Sequence, residues 1–110
     1  MNRYGKRCVL YPRVSTEMQV DGYSLEGQKT MLTRFADREE MVIVDTYEDA
    51  GKSGKSIEGR PAFQKMLRDI EEGLDIDYVL VYKLSRFGRN AADILNSLEL
   101  IQSYGVNLIC

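Results

Sequence analysis

The chain contains no histidine. That absence removes the serine–histidine–aspartate and cysteine–histidine mechanisms, and with them the commonest zinc ligand. Any nucleophile here must be activated another way. Cysteine is scarce. Cys8 and Cys110 each sit in an apolar run, which reads as small buried hydrophobes rather than a disulfide or a metal pair. No apolar run approaches the ~20 residues that a membrane span needs, so no membrane partner is expected. Arg3, Lys6 and Arg7 precede only a short apolar run that ends at Arg13, which does not fit a signal peptide. A cytoplasmic location follows as the default expectation. An excess of positive charge is also missing: 15 basic and 17 acidic side chains leave a net charge of −2. The chain therefore lacks the overall basic signature of a nucleic-acid binder. A local arginine cluster can still bind phosphate, because charges act over a Debye length of ~10 Å.

The 110 residues, 44% hydrophobic and 29% charged, have the size and composition of one ordinary globular domain. Residues 7–12 read as a first strand, followed by a loop over 13–23. Ser24 is a suitable N-cap for a helix running to about Arg38, with Leu25, Gln28, Leu32, Phe35 and Ala36 on its inner face. Met41 to Tyr47 forms a second strand, and a loop rich in glycine, serine and charge runs from Glu48 to Gly59. Pro61 suits the first position of a helix whose stripe is Phe63, Met66, Leu67 and Ile70, ending near Gly73. Asp77 to Tyr82 is a strand buried on both faces. Lys83 to Asn90 is a basic turn. The helix after it turns Ala91, Ile94, Leu95, Leu98 and Ile101 inward, and Val106 to Cys110 begins a fourth strand. This βαβαβαβ order predicts an α/β fold: a three-layer, doubly wound, mostly parallel sheet with helices on both faces and right-handed crossovers. The end of the chain inside an apolar strand suggests a domain truncated near that fourth strand.

In such a sheet the loops after successive strands emerge at one edge, where α/β proteins place their ligands. Those loops carry Arg13 and Ser15; Asp49, Ser53 and Arg60; and Lys83, Ser85, Arg86 and Arg89. A hydroxyl beside fixed cations suits attack on a phosphate or a carboxyl group, and the stretch around Ser15 does not decide between them. Arginine's planar fork pairs two phosphate oxygens at once and keeps its charge, so converging arginines would stabilise a phosphoryl transition state. Each residue also has a plainer explanation. A serine after a strand is most often a cap or turn former, and Arg60 before a proline is most often a loop residue. Arg86 and Arg89 suit a solvated face, although cations at a helix start oppose its dipole and invite an anion. Asp49 suits a cap or an ion-pair partner. Gly51-Lys52-Ser53-Gly54-Lys55-Ser56 imitates a nucleotide P-loop, but the required upstream glycine is replaced by Thr46 for the first Gly-Lys-Ser and Asp49 for the second.

Five blocks together resemble the catalytic domain of the serine site-specific recombinases, the family of resolvases, invertases and large serine integrases. They are Tyr11-x-Arg13-Val14-Ser15-Thr16 with Gln19; Ser24-Leu25-x-x-Gln28; Asp49-Ala50-Gly51-Lys52-Ser53-Gly54; Arg60-Pro61-Ala62-Phe63; and Lys83-Leu84-Ser85-Arg86-Phe87-Gly88-Arg89-Asn90. The Arg-Pro-x-Phe block looks more like the large recombinases than the small resolvases. The resemblance implies that Ser15 attacks a DNA phosphodiester, becomes a 5′-phosphoserine and releases a 3′-hydroxyl. It implies that Arg13, Arg86 and Arg89 hold the scissile phosphate and that Arg60 supports them. Gln19, Gln28, Asp49, Ser53, Lys83 and Ser85 become supporting residues. The family needs no metal or other cofactor, and works on DNA as dimers that pair into tetramers. Many members carry Asp where Ser85 stands, which leaves the proton acceptor open, with Asp49 a substitute. The family's dimerisation helix and DNA-binding regions lie beyond the fourth strand, so residues 1–110 would be the catalytic domain without its C-terminal part, and DNA binding by this stretch alone should be poor.

Two other readings compete. One is a non-enzymatic α/β module that uses the arginines to sense an anion or a partner. The other is a small phosphatase that uses Ser15 on a soluble phosphate ester.

Overall fold

The computed structural model describes residues 3–14, 24–50, 60–88 and 90–110. Four strands form one parallel sheet: β1 (Arg7–Leu10), β2 (Val42–Thr46), β3 (Tyr78–Leu80) and β4 (Asn107–Ile109), in the order β2-β1-β3-β4. The helices are α1 (Leu25–Arg38), α2 (Pro61–Glu71), the single turn α3 (Leu84–Phe87) and α4 (Ala91–Gln102). The expected alternation and sheet are present. No helix among the described residues is long and apolar enough to cross a membrane.

The alternating side chains of the central strands build two apolar layers. Cys8 and Leu10 of β1 and Leu80 of β3 point to one face, where Leu32 and Ala36 of α1 cover them together with Met41. Val9, Tyr11, Val79 and Val81 point to the other, against Phe63, Met66 and Ile70 of α2 and Ile101 of α4. The crossover β1–α1–β2 runs outward on one face, and β2–α2–β3 returns across β1 on the other. The strand order therefore reverses between β1 and β3, the kind of position at which open α/β sheets place their ligands.

Local chemistry sets the element boundaries. Ser24 caps α1 as expected, its Oγ accepting from the Gly27 amide at 3.1 Å. Pro61 occupies the first turn of α2, and past its end Gly73 takes φ 107°, a conformation that side-chain-bearing residues avoid. The first strand stops at Leu10 rather than residue 12, because Pro12 has no amide to donate. Pairing nonetheless resumes beyond it: Arg13 and Asp49 form a parallel bridge, and the Val14 amide donates to the Asp49 carbonyl at 3.0 Å.

Three expectations need correction. The basic turn after β3 contains a helical turn, α3, too short to leave a periodic signal. In α4 the inner stripe is Ile94, Ser97, Leu98 and Ile101, while Ala91 and Leu95 are exposed, because Leu95 lies about 100° around the helix from Ile94. Cys8 is buried as expected, but Cys110 is exposed.

Candidate active site

Among the described residues, three arginines converge at the carboxyl edge, and all are buried: Arg13 is 1% exposed, Arg60 and Arg86 0%. This is an unusual density of buried charge, since isolated ions are costly to take out of water. Arginine's reputation as a surface residue hides such an arrangement from a reading of the sequence.

Arg13 follows Pro12 at the end of β1. Gln28 of α1 fixes its backbone from below, Oε1 accepting from the Arg13 amide at 3.1 Å and Nε2 donating to its carbonyl at 3.0 Å. A residue at an inward helical position thus directs its amide to one loop residue. The Arg13 guanidinium reaches from the end of β1 to the segment after β3. Its Nε donates to the Arg86 carbonyl at 2.9 Å and its Nη2 to the Ser85 carbonyl at 2.6 Å. Ser85 makes this contact through its backbone, which any residue at that position supplies. Burial, then the neighbouring Arg60 cation, with Arg86 adding to it, hold the Arg13 pKa below its usual value, against an opposing pull from Tyr11 and Asp49.

Arg60 precedes α2 and turns inward. Its Nε donates to Tyr11 Oη at 3.2 Å, its Nη1 to Asp93 Oδ2 at 3.1 Å, and its Nη2 to the Phe87 carbonyl. Its guanidinium carbon lies 3.8 Å from the centre of the Phe63 ring, where the negative face of the ring favours a cation. Arg86 lies in α3, its guanidinium carbon 5.6 Å from the Tyr82 ring centre. Lys83 is exposed, its Nζ 5.4 Å from the same ring.

Asp49 organises the loop after β2. It takes the capping role for α2, whose own N-cap residue, Arg60, makes no side-chain cap. Its Oδ1 accepts from the Ala62 amide at 2.9 Å and its Oδ2 from the Phe63 amide at 3.0 Å. The same Oδ2 accepts from Tyr11 Oη at 2.7 Å. Three donors engage this carboxylate, which makes it the anchor joining β1, β2 and α2. Tyr11 stays a neutral donor: burial foremost, reinforced by the Asp49 hydrogen bond and partly offset by Arg60, raises its pKa.

Arg13, Gln28, Asp49, Arg60, Ser85 and Arg86 are thus brought together, Ser85 by its carbonyl. Lys83 stands at the rim. Ser15, Gln19, Ser53 and Arg89 lie outside the described residues. Two members were not singled out from the sequence: the Tyr11 hydroxyl and Asp93. Tyr11 carried a signal, a polar tip at the end of an otherwise apolar strand. Asp93 carried none pointing to Arg60, 33 residues earlier, because a first-turn aspartate on a helix is ordinary. Among the described residues, no group of three or more Asp, Glu or Cys could hold a metal ion.

What the described edge offers is positive. Asp93 pairs with Arg60 and Asp49 lies near Arg13, so two carboxylates stand beside the three cations Arg13, Arg60 and Arg86 among the described residues, an excess of positive charge that suits an anion. Its donors are planar and held from behind, which suits an oxyanion of phosphate.

Comparison with known proteins agrees with this chemistry. The family model described as the resolvase N-terminal domain matches residues 8–110. A resolvase family site-specific recombinase from Streptococcus pneumoniae is 57% identical with a TM-score of 0.82, covering 96% of this chain and 71% of that one. The N-terminal catalytic domain of TP901-1 integrase is 38% identical with a TM-score of 0.83, covering 94% and 75%. The C-terminal catalytic domain of ISC1926 TnpA, an IS607-like serine recombinase, is 29% identical with a TM-score of 0.78, covering 94% and 65%. No curated protein matches. An all-parallel sheet with an arginine-lined carboxyl edge, matched in sequence over residues 8–110, places the chain in the resolvase family, as the catalytic domain of a site-specific DNA recombinase.

Proposed function

We propose that Ser15 is the nucleophile of DNA cleavage and rejoining. Its Oγ attacks the scissile phosphorus, and the bond from phosphorus to the 3′ oxygen breaks. The products are a 5′-phosphoserine and a 3′-hydroxyl, the leaving oxygen taking up a proton as the serine gives one up. Because the phosphoester stays intact in energy, the reverse attack by a 3′-hydroxyl rejoins DNA without a nucleotide cofactor. Ser15 follows Val14, whose amide is tied to Asp49, so the nucleophile's chain enters from a fixed point of the edge.

The observation that carries this reading is the burial of Arg13, Arg60 and Arg86 together at the carboxyl ends of β1 and β3. A stable fold does not require three buried cations there; a bound phosphate does make use of them. Arg13, Arg86 and Arg89 are assigned to the phosphate oxygens, where preorganised donors stabilise developing charge without reorganisation. Arg60 supports them, since Nε, Nη1 and Nη2 already bond within the protein. Gln28 and Asp49 hold the backbone that carries Arg13, and Gln19, Ser53, Lys83 and Ser85 complete the surroundings. In the working recombinase, such domains act on DNA as dimers that pair into tetramers, in the cytoplasm on the nucleoid.

Ser15→Ala tests the assignment. The recombinase carrying this domain should lose strand cleavage and joining while its melting temperature and DNA affinity are retained. Cleavage and joining at the unsubstituted rate would overturn the nucleophile assignment. Turnover of a soluble phosphate ester without a DNA adduct would favour a phosphatase instead.

A further inference from the structure

The segment Ser85–Phe87 after β3 carries the proposed clamp arginine Arg86, and it is tied down at two points. Arg13 holds the Ser85 and Arg86 carbonyls. Arg60 holds the Phe87 carbonyl and, through Nη1, the Asp93 carboxylate in the first turn of α4. The second tie is an ion pair whose Arg60 side chain is 1% exposed and whose Asp93 side chain is 20% exposed. Asp93 is itself fixed: its amide donates to Asn90 Oδ1 at 2.8 Å, the cap of α4. Gly88 passes so close that a Cβ there would lie 2.9 Å from Asp93 Oδ2 and 2.7 Å from Ile94 Cγ1. The backbone of the arginine-bearing segment is therefore packed directly on this carboxylate, and only glycine fits.

We propose that Asp93 is a positioning residue for the cleavage reaction: through Arg60 it holds the Arg86–Gly88 backbone at the height at which Arg86 meets the scissile phosphate. The inference rests on the serine recombinase reading above. Asp93 does not touch DNA. It fixes the direction of the Arg60 guanidinium, whose other edge grips the Phe87 carbonyl next to Arg86. Without Asp93, Arg60 keeps Tyr11 and Phe63 as neighbours but loses the partner that joins it to α4. A small displacement of a charge-stabilising group is costly to rate, while affinity for a long DNA rests on many other contacts.

The test measures first-order formation of the covalent protein–DNA adduct at saturating DNA, beside DNA affinity, in the recombinase carrying this domain. Asp93→Ala should slow adduct formation by about one to two orders of magnitude with affinity nearly unchanged. Asp93→Asn, which keeps an oxygen able to accept from Arg60, should recover most of that loss. In an Arg60→Met background Asp93→Ala should have little further effect, because its partner is already gone. If Asp93→Ala fails to fold, Asp93→Asn takes its place in the same cycle, with a smaller loss that again vanishes beside Arg60→Met. Unchanged rates in the Asp93 variants, or losses that simply multiply with that of Arg60→Met, would overturn the inference. Absence of any adduct from the unsubstituted protein would overturn the serine reading and, with it, this inference.

Discussion

Beneath α1 the sheet buries Cys8, Leu10, Leu32, Ala36, Met41 and Leu80, an apolar layer. At the carboxyl edge it buries Arg13, Arg60 and Arg86 with Gln28 and Asp49. The first region follows the rule that folding is driven by apolar area removed from water. The second runs against it, since every buried cation must regain in hydrogen bonds what it loses in hydration. The edge recovers part of this by spending backbone carbonyls of residues 85–87 on guanidinium groups and by stacking Arg60 on Phe63. One region is apolar packing; the other keeps buried cations in place through hydrogen bonds that the fold supplies.

The sharpest way to separate the two is Arg13→Met, which keeps an apolar side chain of similar reach and removes the charge. Adduct formation should fall by about 10²–10³-fold, the scale seen when a preorganised donor to a developing oxyanion is lost. Stability should change by no more than about 1 kcal/mol, because relief from Arg60 and Arg86 offsets the lost carbonyl contacts. Urea unfolding beside the adduct assay reads both. Leu32→Ala is the reverse case. It should cost about 3 kcal/mol of stability, while each folded molecule reacts at the unsubstituted rate.

Gly88→Ala breaks the comparison deliberately, because there packing and chemistry meet. The added methyl group must displace Ile94 and the Asp93 carboxylate, so stability should fall by about 1–3 kcal/mol and the cleavage rate should fall with it. The smallest effect is a pH dependence in the apolar layer. Burial pushes the Cys8 thiol up to about 11 from an ordinary 9.0. The folded state therefore holds its proton more tightly than the unfolded one. Its contribution is complete below about pH 9 and is lost as pH rises toward 11. Melting temperatures should decline over that range, and less steeply in Cys8→Ala. Tyr11 and Tyr47, both raised first by burial, add to the decline from about pH 10, the ordinary tyrosine value, upward.

The two regions also differ in how far the sequence reveals them. The apolar layers are local and periodic, so helix spacing and strand alternation expose the βαβ order, the three layers and most boundaries. The exceptions are physical. A single turn such as α3 has no period to detect, and Leu95 is apolar without facing the sheet. The edge is assembled from residues far apart in the chain. The motifs point to Arg13, Arg60, Arg86, Gln28 and Asp49, and loop convergence in a parallel sheet explains why they meet. What they cannot express is direction. Arg60 turns inward to Asp93, Asp49 caps a helix that begins 12 residues later, and Ser85 acts by its carbonyl.

The most direct test of the account is to trap the covalent protein–DNA complex during cleavage, digest it and locate the modified residue by mass spectrometry. The expected result is a nucleotide joined through its 5′ phosphate to Ser15 and a free 3′-hydroxyl on the other strand end. Attachment to any other side chain, or cleaved DNA with no protein joined to its 5′ end, would contradict it.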